Sequence, residues 1–162
     1  MQCAGHLRRS CIRSITPPAF ARELHYERVA DKKTDCEKIV SYAKSCLPNE
    51  CCGLIAGESE GDTRTVGLVY TLTNTDASGT HFTIDAMEHL TTVKDMRTRG
   101  IIPLGNFHSH PMTPARPSEE DIKLAYDPSA SYVIISLIES EPVMRSFRVE
   151  NGTLAEEDIE IL

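Results

Sequence analysis

The chain has 162 residues, 40% of them hydrophobic and 25% charged, which is ordinary for a globular protein and fits one domain with its own core. Its formal net charge of −7 argues against nucleic acid as a partner, because nucleic-acid binding relies on basic surfaces. No apolar run approaches the roughly 20 residues of a membrane-spanning helix, so we expect no membrane partner either.

Residues 1–32 differ in composition from the rest of the sequence. Four arginines precede the first acidic residue, Glu23, and a Pro17-Pro18 pair lies between the third and the fourth of these arginines. Arginine-rich, acid-poor N-termini are typical of organelle transit peptides, whereas a secretory signal would need an apolar stretch of roughly 7–15 residues. We favour the simpler interpretation, a disordered extension or a start assigned too early. We therefore predict that residues 33–162 form the folded domain.

Six cysteines occur, at positions 3, 11, 36, 46, 51 and 52. None of them forms a Cys-x-x-Cys pair, and the adjacent Cys51 and Cys52 would face opposite sides of a strand. We interpret the cysteines as reduced thiols in a reducing compartment rather than as a disulfide framework, which predicts a cytoplasmic protein.

The first periodic segment predicts a helix over residues 35–47. It carries an apolar stripe at helical spacing, with Thr34 or Asp35 as its cap and Pro48 as its end. Short apolar runs then predict strands at 52–56, 64–73 and 81–84, with a turn at 58–62 between the first two.

A second helix is predicted over residues 86–99, capped by Asp85 and ended by Gly100. The next strand starts at Ile101 and carries two histidines at its C-terminal end. A short helix at 119–125 follows, and then strands at 131–138, 143–149 and 154–161, the last two joined by an Asn-Gly turn. This order predicts an α/β (α+β-like) domain, built as a curved mixed β-sheet flanked by helices.

The segment from His108 to Asp121 carries the strongest chemical signal in the sequence. His108 and His110 are two residues apart, so both rings leave the same face of an extended strand. Pro111 favours that extended conformation in the residue before it. After a proline-rich loop, Ser118 would be the N-cap of the short helix, with Asp121 in its first turn.

Two neutral imidazoles and one carboxylate form the ligand set of a catalytic zinc site, which leaves a fourth position open for water. Taken singly, each residue has a simpler explanation: a strand histidine is usually structural, and Ser118 with Asp121 resembles a capping box. Capping does not explain the two same-face histidines, so the combination favours a metal. His81 is a third candidate ligand by type, but a surface or strand role fits it better.

The spacing of these residues resembles the JAMM motif of the JAB1/MPN/Mov34 metalloprotease family, without a gap or a substitution. Glu50, in a Glu-Cys-Cys-Gly strand opening, resembles the upstream glutamate of bacterial members. The resemblance implies an MPN/JAB fold and one Zn²⁺ per chain with a bound water. It assigns His108, His110 and Asp121 as the metal ligands, and Glu50 and Ser118 as the catalytic groups. Ser109 points away and is expected to be structural.

The resemblance also implies a substrate class. Family members cut peptide or isopeptide bonds after the tails of ubiquitin-like proteins, and bacterial members are associated with sulfur carriers. We therefore expect a zinc peptidase that cleaves after the Gly-Gly tail of a ubiquitin-like sulfur-carrier protein. The alternatives are a deubiquitinase-like isopeptidase acting on ubiquitin itself, and a non-catalytic MPN scaffold. Scaffold members lack one or more ligands, whereas this chain has the whole set.

Overall fold

The computed structural model describes residues 32–61 and 63–160. Three helices and six strands follow one another in these ranges: α1 (Lys32–Cys46), β1 (Cys52–Glu60), β2 (Thr63–Leu72), α2 (Ala86–Arg99), β3 (Ile102–His110), α3 (Glu119–Leu124), β4 (Ser131–Ser136), β5 (Val143–Glu150) and β6 (Thr153–Glu157). No helix in this part of the chain is both long and apolar enough to cross a bilayer. Four of the cysteines lie within it, and all four are free thiols: Cys36, Cys46, Cys51 and Cys52.

The six strands form one mixed sheet in the order β2-β1-β3-β4-β5-β6. Only β3 and β4 are parallel, and every other neighbouring pair is antiparallel. The β3–β4 crossover contains the proline-rich loop and α3, and it leaves the sheet at the C-terminal end of β3, directly after His110. The predicted mixed sheet with flanking helices is therefore confirmed.

The two long helices cover opposite faces of the sheet. Ile39 and Ala43 of α1 pack in one buried cluster with Ile55 of β1. Met96 of α2 packs in a second buried cluster with Leu54, the residue next to Ile55. Because neighbouring strand residues point to opposite faces, the sheet lies between α1 and α2.

Several predicted ends and turns agree with the structure. The Asp85 carboxylate accepts hydrogen bonds from the Met87 and Glu88 amides, and Gly100 ends α2 in the left-handed conformation with φ 71°. The β5–β6 hairpin turns at Asn151 and Gly152, whose φ values are both positive, as an Asn-Gly turn requires.

Three local predictions are wrong, and two predicted strands are too long, since 131–138 ends at Ser136 and 154–161 ends at Glu157. Helix α1 begins at Lys32, so Thr34 and Asp35 lie inside it and do not cap it. The polar residues 58–60, assigned to a turn, continue β1 because they pair with the start of β2. The predicted strand 81–84 makes only an isolated bridge between Asn74 and Ile84. The predicted disordered extension, up to residue 31, lies outside the described residues.

An ion-pair cluster around the buried Glu157 shows how strongly the sheet curls. Arg64, on the edge strand β2, donates a hydrogen bond from Nη1 to Ser131 Oγ on β4 over 2.7 Å. The same Nη1 lies 3.8 Å from Oε1 of Glu157, which is on the opposite edge strand, β6. Arg148 Nε lies 3.6 Å from this oxygen, and Ser146 Oγ donates to Oε2 over 2.8 Å. The cluster thus ties the two edges of the sheet together.

Removing the Glu157 carboxylate is expected to destabilise the fold. Glu157 is only 3% exposed, and its loss would leave Arg64 without its buried counter-charge. Breaking a buried pair in this way typically costs about 3–5 kcal/mol, so we expect Glu157→Ala to lower the free energy of unfolding by that amount. Glu156→Ala, which removes an exposed partner of Arg145, should change it by less than about 0.5 kcal/mol. Urea unfolding of both variants measures the difference, and equal effects would contradict it.

Candidate metal and proton-transfer site

The two histidines lie at the end of β3, in the interior of the sheet. Cys52 of β1 is opposite His108 on one side, and Ile134 of β4 is opposite it on the other. Both imidazoles are buried, and their Nε2 atoms are 3.0 Å apart. This proximity follows from the i, i+2 spacing on an extended strand.

The loop after β3 is anchored back onto the sheet. Thr113 O accepts a hydrogen bond from Ser136 Oγ over 2.7 Å, and Ala115 is buried against Ile134. Pro114 O lies 3.0 Å from His110 Nδ1. A carbonyl can only accept, so Nδ1 carries the proton and Nε2 of neutral His110 presents its lone pair to the site.

At the start of α3, Asp121 takes part in a capping box with Ser118 and also lies beside both histidines. Asp121 Oδ2 accepts hydrogen bonds from Ser118 N at 2.7 Å and from Ser118 Oγ at 2.6 Å, while Asp121 N donates to Ser118 Oγ. The other carboxylate oxygen, Oδ1, lies 3.3 Å from His108 Nε2, and Oδ2 lies 3.6 Å from His110 Nε2. The capping box therefore holds the carboxylate against both imidazoles.

These three side chains form a group with the chemistry of a metal site. One ligand atom from each of His108, His110 and Asp121 lies within 4.8 Å of the others. Burial would raise the pKa of Asp121, but hydrogen bonds with both histidines and Ser118 hold it far below its usual range. Burial lowers the pKa of His108. A fixed carboxylate beside two imidazole nitrogens offers three donor groups to a cation, so the donor set fits a divalent metal such as zinc.

The pKa of His110 is also shifted by the groups around it. Burial would lower its pKa, but the protonated ring is favoured by the Asp121 carboxylate, the Pro114 carbonyl and the charge of Glu50, and together these raise it. The site thus stabilises positive charge at this ring, whether as a proton or as a metal ion.

Glu50 reaches the site through strand pairing. Ser109 N donates to Cys51 O over 3.0 Å, and Cys51 N donates to Ser109 Oγ over 2.8 Å. Continuing this antiparallel register by one residue puts Glu50 opposite His110. Ser109, fully buried, serves this pairing and takes no place among the ligands.

Glu50 is buried, with 4% of the residue exposed. Burial is the main cause that raises its pKa to about 7; His110 opposes the rise, and the negative charge of Asp121 adds to it. A carboxylate with a pKa near neutrality is suited to accept and release a proton at physiological pH.

The segment between β2 and α2 contributes residues that no sequence pattern indicated. Ser78 O accepts a hydrogen bond from Glu50 N over 2.7 Å, and the Asn74 side chain donates to Glu50 O. Phe82 stacks on the His108 ring with centroids 4.7 Å apart. His81, the third candidate ligand by type, is exposed and lies outside the ligand group.

Comparison with known proteins identifies the family. The family model described as prokaryotic homologs of the JAB domain matches residues 33–150. The chain belongs to this family. A CysO-cysteine peptidase from Mycobacterium tuberculosis is 34% identical over 125 residues, which cover 76% of this chain and 84% of that protein.

Two solved structures support the fold assignment of this JAB-family chain. A protein from Desulfitobacterium hafniense is 53% identical with a TM-score of 0.73, covering 78% of this chain and 88% of its own. A JAB1/MPN domain protein from Archaeoglobus fulgidus is 22% identical with a TM-score of 0.52, covering 78% and 92%. The predicted MPN/JAB fold and the resemblance to the JAB1/MPN/Mov34 family are confirmed.

Proposed function

We propose that this protein is a zinc-dependent peptidase that cleaves after the Gly-Gly tail of a ubiquitin-like sulfur-carrier protein. The observation that carries the proposal is the convergence of His108, His110 and Asp121 beside the buried Glu50. The relative named CysO-cysteine peptidase supports both the peptidase activity and the substrate class. The intact ligand set argues against the non-catalytic scaffold.

In this proposal, His108, His110 and Asp121 hold the metal. Zinc bound there would supply Lewis acidity, which acidifies water and polarises an amide carbonyl. Asp121 remains ionised because its pKa is strongly lowered, and the His110 Nδ1–Pro114 contact keeps Nε2 directed at the site. The capping box fixes the carboxylate, so the ligands are in place before the substrate arrives.

Glu50 moves the proton. Its carboxylate takes a proton from the attacking water and delivers it to the leaving amine nitrogen as the amide C–N bond breaks. The products are a carrier with a free C-terminal carboxylate and the released amine. The Ser118 hydroxyl donates to Asp121 in the structure, and it would stabilise the developing oxyanion after turning from that carboxylate to the substrate oxygen.

The expected substrate test compares tails that differ at one residue. A ubiquitin-like carrier ending in Gly-Gly-Cys should release cysteine, whereas replacing its penultimate glycine with leucine should reduce kcat/KM by about 100-fold. Glycine lets the backbone approach the site closely, and a misplacement of about 1 Å costs that much in rate. Mass spectrometry of the cleaved carriers measures both rates under the same conditions.

The same experiment separates the alternatives. Cleavage of lysine-linked ubiquitin chains in place of the carrier would favour the deubiquitinase-like isopeptidase. Equal cutting of glycine and leucine tails would contradict the Gly-Gly specificity. A protein that binds zinc but cuts neither substrate would support the scaffold.

A further inference from the structure

The rings of the two proposed histidine ligands are held in different ways. His110 Nδ1 has the Pro114 carbonyl as its hydrogen-bond partner at 3.0 Å. His108 Nδ1 is buried and has no hydrogen-bond partner among the described residues. Metal-binding histidines almost always use the second ring nitrogen to fix their orientation. His108 therefore needs another contact to hold its ring.

Phe82 supplies that contact. Its ring lies 4.7 Å from the His108 ring, centroid to centroid, with 26° between the planes. A flat partner against one face restricts rotation of the imidazole about its bond to Cβ, because turning the ring would drive its edge into the phenyl group. The stack thus orients Nε2 of His108 toward Asp121, as a hydrogen bond at Nδ1 would.

The Asn74 side chain bonds to the backbone of both residues that flank Phe82 in the sequence. Its Nδ2 donates to His81 O over 3.2 Å, and its Oδ1 accepts from Thr83 N over 3.1 Å, so one amide brackets the phenylalanine. The same Nδ2 donates to Glu50 O over 3.1 Å. One side chain therefore joins the segment carrying Phe82 to the residue that we propose as the proton carrier.

We propose that Phe82 is a positioning residue for His108, held in place by Asn74. The segment between β2 and α2 thereby sets the orientation of one ligand. The role of His108 as a ligand rests on the proposed function, whereas the orienting stack does not. Phe82 is neither a ligand nor a proton carrier, so its effect reaches the metal only through the imidazole that it contacts.

The test uses the full chain and two readouts that do not depend on turnover. Zinc affinity is measured by competition with a chromophoric chelator, and the His108 ring protons are followed by NMR in the metal-free protein. We expect Phe82→Leu to weaken zinc binding about 10-fold, the lower end for loss of a group that supports a metal ligand. The His108 ring-proton signals should move downfield as the ring current of Phe82 is lost.

Three further variants sharpen the test. Phe82→Tyr keeps a stacking ring and should retain wild-type affinity and shifts. Asn74→Ala keeps Phe82 but frees its segment, so both readouts should move in the same direction as in Phe82→Leu. Tyr126→Leu removes an aromatic ring that is 80% exposed and should change neither readout. Melting temperatures identify any variant that has lost its fold.

Wild-type zinc affinity and unchanged His108 shifts in folded Phe82→Leu would overturn the inference. Failure of the proposed function gives a different result: the wild-type protein itself would bind no zinc, while the ring-proton shifts would still report on the stack.

Discussion

Replacing Glu50 with glutamine is expected to reduce kcat by about 10²–10⁴-fold while leaving zinc bound, the range that a positioned acid–base group contributes. Glutamine has nearly the shape of glutamate but cannot accept the proton from water. Glu50 lies outside the group formed by His108, His110 and Asp121, so the proposed ligands remain unchanged. Turnover is measured on the cysteine-bearing carrier, and zinc content by elemental analysis.

The matched control is Glu120→Gln. Glu120 is exposed on α3, and its charge contributes to the raised pKa of Glu50. This control therefore removes a nearby negative charge without removing the proposed proton acceptor, and we expect it to keep most of the activity. Near-wild-type turnover in Glu50→Gln would show that another group moves the proton.

The features predicted well from the sequence are those encoded within a few residues. The caps of α2 depend on Asp85 and Gly100, and the last hairpin depends on its Asn-Gly pair, because each fixes local backbone geometry. The same-face placement of the His108 and His110 rings was predictable for the same reason, because an extended strand is enough to produce it at this spacing.

The features that could not be predicted depend on contacts between residues far apart in the sequence. Phe82 and His108 are 26 positions apart, and Arg64 and Glu157 are 93 positions apart, so neither pairing follows from local periodicity. The strand predicted at residues 81–84 had the right composition, but its backbone pairs only over a short stretch next to Asn74, too little for a strand. Such contacts arise only when the sheet has been assembled.

Glu50 is an intermediate case. Its sequence neighbourhood suggested a strand opening, but only the resemblance to the family brought it near the histidines. The structure gives the physical reason: the Cys51–Ser109 hydrogen bonds continue the β1–β3 pairing past the end of β1, so the register carries Glu50 to His110. A one-residue slip in that register would turn the carboxylate to the opposite face.

The ligand role proposed for Asp121 leads to a second large effect. We expect wild-type protein to hold about one zinc per chain, as a single three-ligand site would, and Asp121→Asn to hold almost none. An amide oxygen carries no charge to balance the cation, but it can still accept the hydrogen bond from Ser118 N. The variant therefore preserves the start of α3 while removing the charged ligand.

Asp127→Asn provides a control with a similar pair of hydrogen bonds to a serine. Asp127 Oδ1 accepts hydrogen bonds from Ser129 N at 2.8 Å and from Ser129 Oγ at 2.6 Å, much as Asp121 Oδ2 does from Ser118, but it lies outside the ligand group. Loss of zinc in Asp121→Asn alone would therefore report metal ligation rather than loss of aspartate–serine hydrogen bonds. Elemental analysis after gel filtration measures the stoichiometry, and full zinc occupancy in folded Asp121→Asn would remove Asp121 from the ligand set.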